Sequence, residues 1–401
     1  MFGAVLAAAL ACVLSCGKPG DLEPVSREPI RFNCSPVSVT SRAGASYVGD
    51  DALTEDQHFA VYAWDTGSGF LPADPVAAHG APAFLNNLDV HYRDNADKGK
   101  NNTYSGDLFW PTSSVPAYDY SFFAYYPYAA GSGITGPTFS AGNIGQYGFT
   151  AKGDVAQMVD FCVSDVSNDV VYGRPYTYSA YDGTVGLTFR HTLTRVQIKF
   201  VKAQDVDEVT HIYIEDAKLV NIRKNGTLTV SYAQYIDAVT DPENPAVAPG
   251  YGRKGTTSFL WATDPDIKGD YEISLYHTDP DPVAVPPVEV DLGYSQTVYP
   301  DEVFLMVPQT ILKEGEPLGS PSPQGISFRW RVDDAPATDD LVLFDESVSA
   351  IGSSMSAGIT EWTANMSVVY TVVIKAKPIE FALTASIVPW DDDSGYYPLI
   401  P

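Results

Sequence analysis

The chain has 401 residues, with 50 acidic against 24 basic side chains and a formal net charge of −26 at pH 7. That balance excludes nucleic acid and anionic lipid surfaces as electrostatic partners, because both need clustered Lys and Arg. With 45% hydrophobic residues the chain can build real cores, and its length suits two domains of ordinary size.

Turn punctuation runs through the whole length, with 32 glycines and 30 prolines between short runs rich in tyrosine and phenylalanine. No helical period is sustained over a long window, so the expected class is all-β. The four cysteines, Cys12, Cys16, Cys34 and Cys162, have no CxxC spacing, which excludes a zinc ribbon or a disulfide scaffold. Cys34 and Cys162 both fall in predicted strands. They either pair in an oxidising compartment or serve as small core residues.

Residues 1–15, MFGAVLAAALACVLS, form an apolar run too short to span a bilayer and suited to a signal peptide. The run ends V-L-S-C-G, which resembles the lipobox of bacterial lipoproteins with Cys16 as the acylated residue. Residues 16–29 are polar and proline-rich, a tether. From Ile30 to Thr40 the chain alternates, with Ile30, Phe32 and Cys34 on one face and Arg31, Asn33 and Ser35 on the other, as in a half-buried strand. Pro36 shifts the phase, so Val37 and Val39 continue the buried face only through a bulge. The polar loop SRAGAS then presents Arg42 as a cuttable basic residue.

HFAVYAW at His58–Trp64 predicts a strand with Phe59, Val61 and Ala63 on one face. FLNNLDVHYR at Phe84–Arg93 and the later TYSGDLFWP predict a hairpin, and YDYSFFAYYP at Tyr118–Pro127 an aromatic strand. Residues 129–157 are glycine-rich and predict a long surface loop where ligand contacts can sit. After a short strand at Met158–Ser164 comes VGLTFRHTLTRVQIKFV, Val185–Val201. Leu187, Phe189 and His191 share one face while Val196, Ile198 and Phe200 share another, so the phase switches near Leu193. There the strand changes sheet or the chain crosses between domains. A boundary at residue 191 gives an N-terminal β-sandwich over 30–191, a second over 192–390 and a tail over 391–401.

In the second half, Val209–Ile222 and Gly226–Tyr232 predict a hairpin around Lys224-Asn225-Gly226. A proline-rich loop is expected at 237–253. Further strands are expected at SFLWAT, YEISLYH, VEVDL, VFLMVP, ISFRWRV, SVVYTVVIKA and IEFALTASIVPW.

Taken in order, these segments resemble the fimbrillin-like lipoproteins of the Bacteroidetes, subunits of type V pili. The resemblance rests on the lipobox at Cys16, TSRA around Arg42, FAVYAW, YSFFAYYP, FRHTLTRVQIKF at Phe189–Phe200, and the closing order from Trp362 through Tyr370 to Trp390. It implies two tandem transthyretin-like β-sandwich domains and export to the outer membrane and cell surface. It also implies cleavage by a trypsin-like protease after Arg42 and loss of the strand carrying Ile30, Phe32, Cys34, Val37 and Val39. A donor strand from another pilus subunit then fills the groove, which is expected to have a sheet edge on each side. Implied partners are other subunits, the maturation protease, and outer-membrane lipid through Cys16 before processing.

Competing chemistry is sparse. The histidines, His58, His79, His91, His191, His211 and His277, lie scattered without HxH, HExxH or an evident carboxylate partner, so no metal site is expected. Asp333-Asp334, Asp339-Asp340 and Asp391–Asp393 read as solvated loop charge, with calcium the alternative. No GxSxG, P-loop or dinucleotide glycine set occurs, so neither a catalytic residue nor a cofactor is expected. Trp64, Trp110, Tyr125 and Tyr126 support a rival reading, a monomeric glycan-binding surface lipoprotein with an aromatic stacking platform.

Overall fold

The computed structural model describes residues 30–36, 58–67, 74–91, 103–104, 108–109, 119–128, 132–171, 184–203, 206, 210–236, 253–273, 275, 288–290, 303–311, 323–344, 348–351, 354–375 and 380–387. Strands dominate them, and the helical elements are the short Pro75–His79 and Val155–Gln157. The first is started by its own sequence: Asp74 accepts the Ala77 amide at 3.0 Å, and Pro75 sits where no intrahelical donor is needed.

An eight-stranded sheet runs in the order Arg31–Pro36, Thr184–His191, Cys162–Ser164, Asp119–Tyr126, His58–Gly67, Leu85–His91, Thr103–Tyr104, with Ser167–Val171 pairing Asp119–Tyr126 off this path. The pairing of Leu85–His91 with Thr103–Tyr104 is the expected antiparallel one. Strand His58–Gly67 is buried on both faces rather than one. Phe59, Val61 and Ala63 enter one core cluster, while Ala60, Tyr62 and Trp64 enter another. The sequence F-A-V-Y-A-W carries no polar residue to mark a solvent face, as a central strand requires.

A four-stranded sheet, Arg253–Thr263, Asn225–Ile236, Gly145–Thr150, Ile134–Thr138, packs on the Tyr62 face. Tyr125 meets Tyr147 edge-on at 5.2 Å, and Tyr147 meets Phe161 at 5.3 Å. The second sandwich sets a six-stranded sheet against a five-stranded one. In the first of these, Thr194–Lys202 runs parallel to Met366–Lys375, in register from Thr194 opposite Met366 to Lys202 opposite Ile374. The other is built around Ile212–Arg223 and Gly325–Val332, and Phe328 joins the two sheets by packing edge-on to Phe200 and Phe381 at 5.4 and 4.9 Å. The class is therefore all-β, of sandwich type. The change of sheet between His191 and Thr194 falls at the predicted phase switch. The four-stranded sheet draws strands from both sides of residue 191.

Two expectations are corrected. Residues 129–157 contain the paired strands Ile134–Thr138 and Gly145–Thr150 rather than an unstructured loop. Their glycines permit close approach: a Cβ on Gly133 would lie 2.4 Å from the Thr150 carbonyl oxygen, and one on Gly148 2.6 Å from Thr135 Oγ1.

The second correction concerns Lys224-Asn225-Gly226, which does not turn a hairpin. Ile212–Arg223 stays in the five-stranded sheet while Asn225–Ile236 pairs with Arg253–Thr263 and Gly145–Thr150. Backbone groups at the crossing are taken by distant partners. Arg223 N–H donates to Gln309 Oε1 at 3.0 Å, Gln324 Nε2 donates to the Asn221 carbonyl at 3.2 Å, and Ala151 N–H donates to the Lys224 carbonyl at 2.8 Å. Gly226 makes room for Val307 and Trp261, since a Cβ there would meet them at 2.8 and 3.0 Å.

Burial raises the tyrosines of these cores above their ordinary value of 10.0, among them Tyr62, Tyr147, Tyr271 and Tyr370. Tyr126 is pushed up to about 12, by burial first and then by the negative charge of Asp160. The unfolded chain ionises its phenols near pH 10 while the folded chain resists, so this stability is fully present below pH 10 and lost as pH rises toward 12. Tyrosine fluorescence and circular dichroism should show cooperative unfolding in that window. A transition confined to lower pH would contradict this.

Candidate functional site

The first strand lies at one end of the largest sheet. Arg31–Pro36 pairs in parallel with Thr184–His191, from Arg31 opposite Thr184 to Pro36 opposite Phe189. Ile30 and Phe32 are fully buried, as the alternation predicts. Phe32 meets Phe122 edge-on at 6.1 Å and shares a core with Phe59, Val61, Val185 and Leu187. Burying these two side chains contributes about 3–6 kcal/mol before entropic costs. Among the described residues its ladder is with Thr184–His191, and the Ile30 N–H also donates to the Leu108 carbonyl at 3.0 Å. Cys34 pairs through its backbone opposite Leu187. Cys16, Val37, Val39 and Arg42 lie outside the described residues.

The strand's partner continues into the crossing segment, and each polar residue there has a distant job. Arg190 donates to Asp165 Oδ1 at 2.8 Å and also to Thr257. Thr257 N–H donates to the same Asp165 oxygen at 3.0 Å, tying the strand end to Arg253–Thr263. Thr192 N–H donates to the Phe161 carbonyl at 2.9 Å, and its own carbonyl accepts Trp261 Nε1 at 2.8 Å. On the far side, Thr194 Oγ1 donates to the Thr363 carbonyl at 2.7 Å and Asn365 N–H to the Leu193 carbonyl at 2.8 Å. The hydrogen bonds of FRHTLTR thus pin the change of sheet from both directions. In the closing motif, Trp362 Nε1 donates to Tyr370 Oη at 2.9 Å inside the second core.

At the inner end of that ladder, Cys162 and His191 sit opposite each other. His191 Nδ1 and Cys162 Sγ both contact Asp160 Oδ2, the sulfur at 3.3 Å, and the sulfur lies 3.5 Å from His191 Nδ1. Burial, then Asp160, holds the Cys162 thiol well above its ordinary range, so it stays a protonated thiol and is no nucleophile. It is also free. Cys34 aligns with Leu187 and Cys162 with His191, on strands separated by Thr184–His191 itself. Two strand spacings and a four-residue offset put their Cα atoms roughly 16 Å apart, well beyond the about 7 Å a disulfide tolerates.

Two readings of the aromatic and histidine residues are corrected. Trp64 and Tyr125 are buried, Trp64 stacking on Phe123 at 5.4 Å, so they form core rather than a sugar platform. Tyr126 packs against the first strand's cluster, and Trp110 lies outside the described residues. The histidines are not scattered in space. His191 finds Asp160, and His58 and His91 meet over Asp89. Among the paired acids, Asp333 Oδ1 accepts the His211 amide at 3.1 Å and Asp340 Oδ1 the Leu341 amide at 3.1 Å.

Packed β-sandwiches, one of them burying Ile30 and Phe32 of a short first strand, define the class of protein as an all-β sandwich. The family model for fimbrillin-like proteins matches residues 41–390, and the chain belongs to that family. No curated protein sequence matches it. A fimbrial protein from Bacteroides vulgatus shares the fold, with a TM-score of 0.52 at 15% identity over 83% of this chain and 92% of that one. A Bacteroides uniformis structure, proposed to be a cell adhesion protein, aligns at 0.44 with 14% identity over 92% and 100%. The C-terminally truncated tip fimbrial protein Mfa3 from Porphyromonas gingivalis aligns at 0.33 with 9% identity over 84% and 95%.

Proposed function

We propose that the chain is a subunit of a cell-surface pilus. It is exported as a lipoprotein through Cys16, cut after Arg42 by a trypsin-like protease, and assembled when a neighbouring subunit's strand replaces its first. The observation that carries this reading is the first strand itself, with Ile30 and Phe32 wholly inside a core and its ladder running along Thr184–His191. Family membership supports a pilus or adhesion role.

Removing the strand would uncover Phe59, Phe122, Val185 and Leu187 beside the free edge of Thr184–His191, an apolar trench with backbone donors and acceptors along one wall. An uncut tether keeps the trench filled by effective concentration alone, so proteolysis acts as the switch. In this reading residues 30–191 and 192–390 are the two units and 391–401 the tail, with the Asn225–Ile236 and Arg253–Thr263 strands of the second lying on the first.

N-terminal sequencing of protein sheared from cells tests the scheme. Ala43 at the front is the expected result. A sheared product that begins at Cys16 and still forms filaments would overturn it.

A further inference from the structure

We propose that His58, Asp89 and His91 form a binding site for one divalent transition-metal ion of the zinc class. His58 opens one strand and His91 closes its antiparallel neighbour, and the two are direct cross-strand partners. Asp89 lies two residues before His91, on the same face by strand alternation, and pairs opposite Ala60. One carboxylate therefore serves two imidazoles. His58 Nδ1 is 3.0 Å from Asp89 Oδ1, and His91 Nε2 is 3.5 Å from Asp89 Oδ2. The three donors lie within 4.8 Å of one another.

Zinc takes His nitrogen and carboxylate oxygen at about 2.0–2.1 Å, so tetrahedral donors stand about 3.3 Å apart. The two nitrogen–oxygen separations, one to each oxygen of the Asp89 carboxylate, bracket that edge. The imidazole centroids stand 3.5 Å apart at 43°. That is closer than ordinary aromatic packing at about 4.5–7 Å. A carboxylate can neutralise one imidazolium, whereas a dication takes both rings neutral and uses the carboxylate as its third ligand.

The frame is rigid because all three residues sit on paired strands. Tyr128 N–H holds the His58 carbonyl at 2.8 Å, and His91 pairs onward with Thr103. The side chains are about a third exposed, 33% for His58 and Asp89 and 30% for His91, so one side of the site faces solvent. Three protein ligands with an open fourth position leave room for water or for a donor from another molecule. Two nitrogens and a carboxylate favour zinc, copper, nickel or iron over calcium and magnesium. The Asp160–Cys162–His191 group lacks such access, its thiol and imidazole being buried in the core.

Titration calorimetry of the full chain, stripped with chelator and then given Zn2+, should show one site, and Co2+ should give the visible bands of a low-coordinate nitrogen–oxygen site. His91→Ala and the nearly isosteric Asp89→Asn should each weaken Zn2+ binding by at least the roughly tenfold to hundredfold lost with outer-shell partners. Cys162→Ser should bind as the parent does. Circular dichroism confirms that each variant folds, and Asp89→Asn keeps the test open if His91→Ala does not. Absence of Zn2+ binding by the parent overturns the proposal, as does binding that survives both His91→Ala and Asp89→Asn or vanishes in Cys162→Ser.

Discussion

Arg42→Ala should leave the exported chain uncut and abolish polymer ladders on the cell surface. The reason is competition between a tethered strand and a free one. A segment held by a short linker acts at an effective concentration of about millimolar, so a donor strand near micromolar starts about a thousandfold behind, or roughly 4 kcal/mol. In the proposed scheme, cutting the chain behind the strand removes that advantage and leaves the outgoing strand with the N-terminal piece. Donor and plug then compete on side-chain fit and on the ladder along Thr184–His191. Electrophoresis of unboiled surface protein reads the outcome. Ladders of parental intensity in the variant would exclude this cleavage site.

The second large effect is expected at Phe32, which is fully buried and packs edge-on against Phe122. Phe32→Ala removes a ring from a closed core, and such truncations cost about 3–5 kcal/mol. In the uncut precursor the denaturation midpoint should fall accordingly. In assembled filaments the same substitution should have no effect if, as proposed, the processed subunit no longer carries residue 32. Leu187→Ala supplies the contrast. Leu187 is buried in the strand that remains, so its loss should weaken precursor and filament alike. Equal destabilisation of both states by Phe32→Ala would mean that the first strand stays in place and is no plug.

Both results rest on a strand whose burial was legible in the sequence. Ile30 and Phe32 alternate with Arg31 and Asn33, and a period of two reports locally which side chains face a core. The same local signal marked the change of sheet near Leu193, since alternation cannot keep its phase while a chain passes from one sheet to another. What alternation does not carry is the identity of the partner strand. Asn225-Gly226 has hairpin chemistry, yet the acceptor for Arg223 N–H comes from Gln309, and Gly226 is small because Val307 and Trp261 press on it. The glycines of residues 132–148 looked like loop residues for the same reason. Their value lies in how closely a second strand can approach, which only the paired structure reveals.

Pairing also decided the chemistry of the histidines. The sequence by itself determined an all-β, acidic chain with a buried first strand, and it showed the histidines only as scattered residues. That His58 stands opposite His91, one carboxylate between them, depended on the register of two strands, and register is set by long-range packing that no single segment encodes.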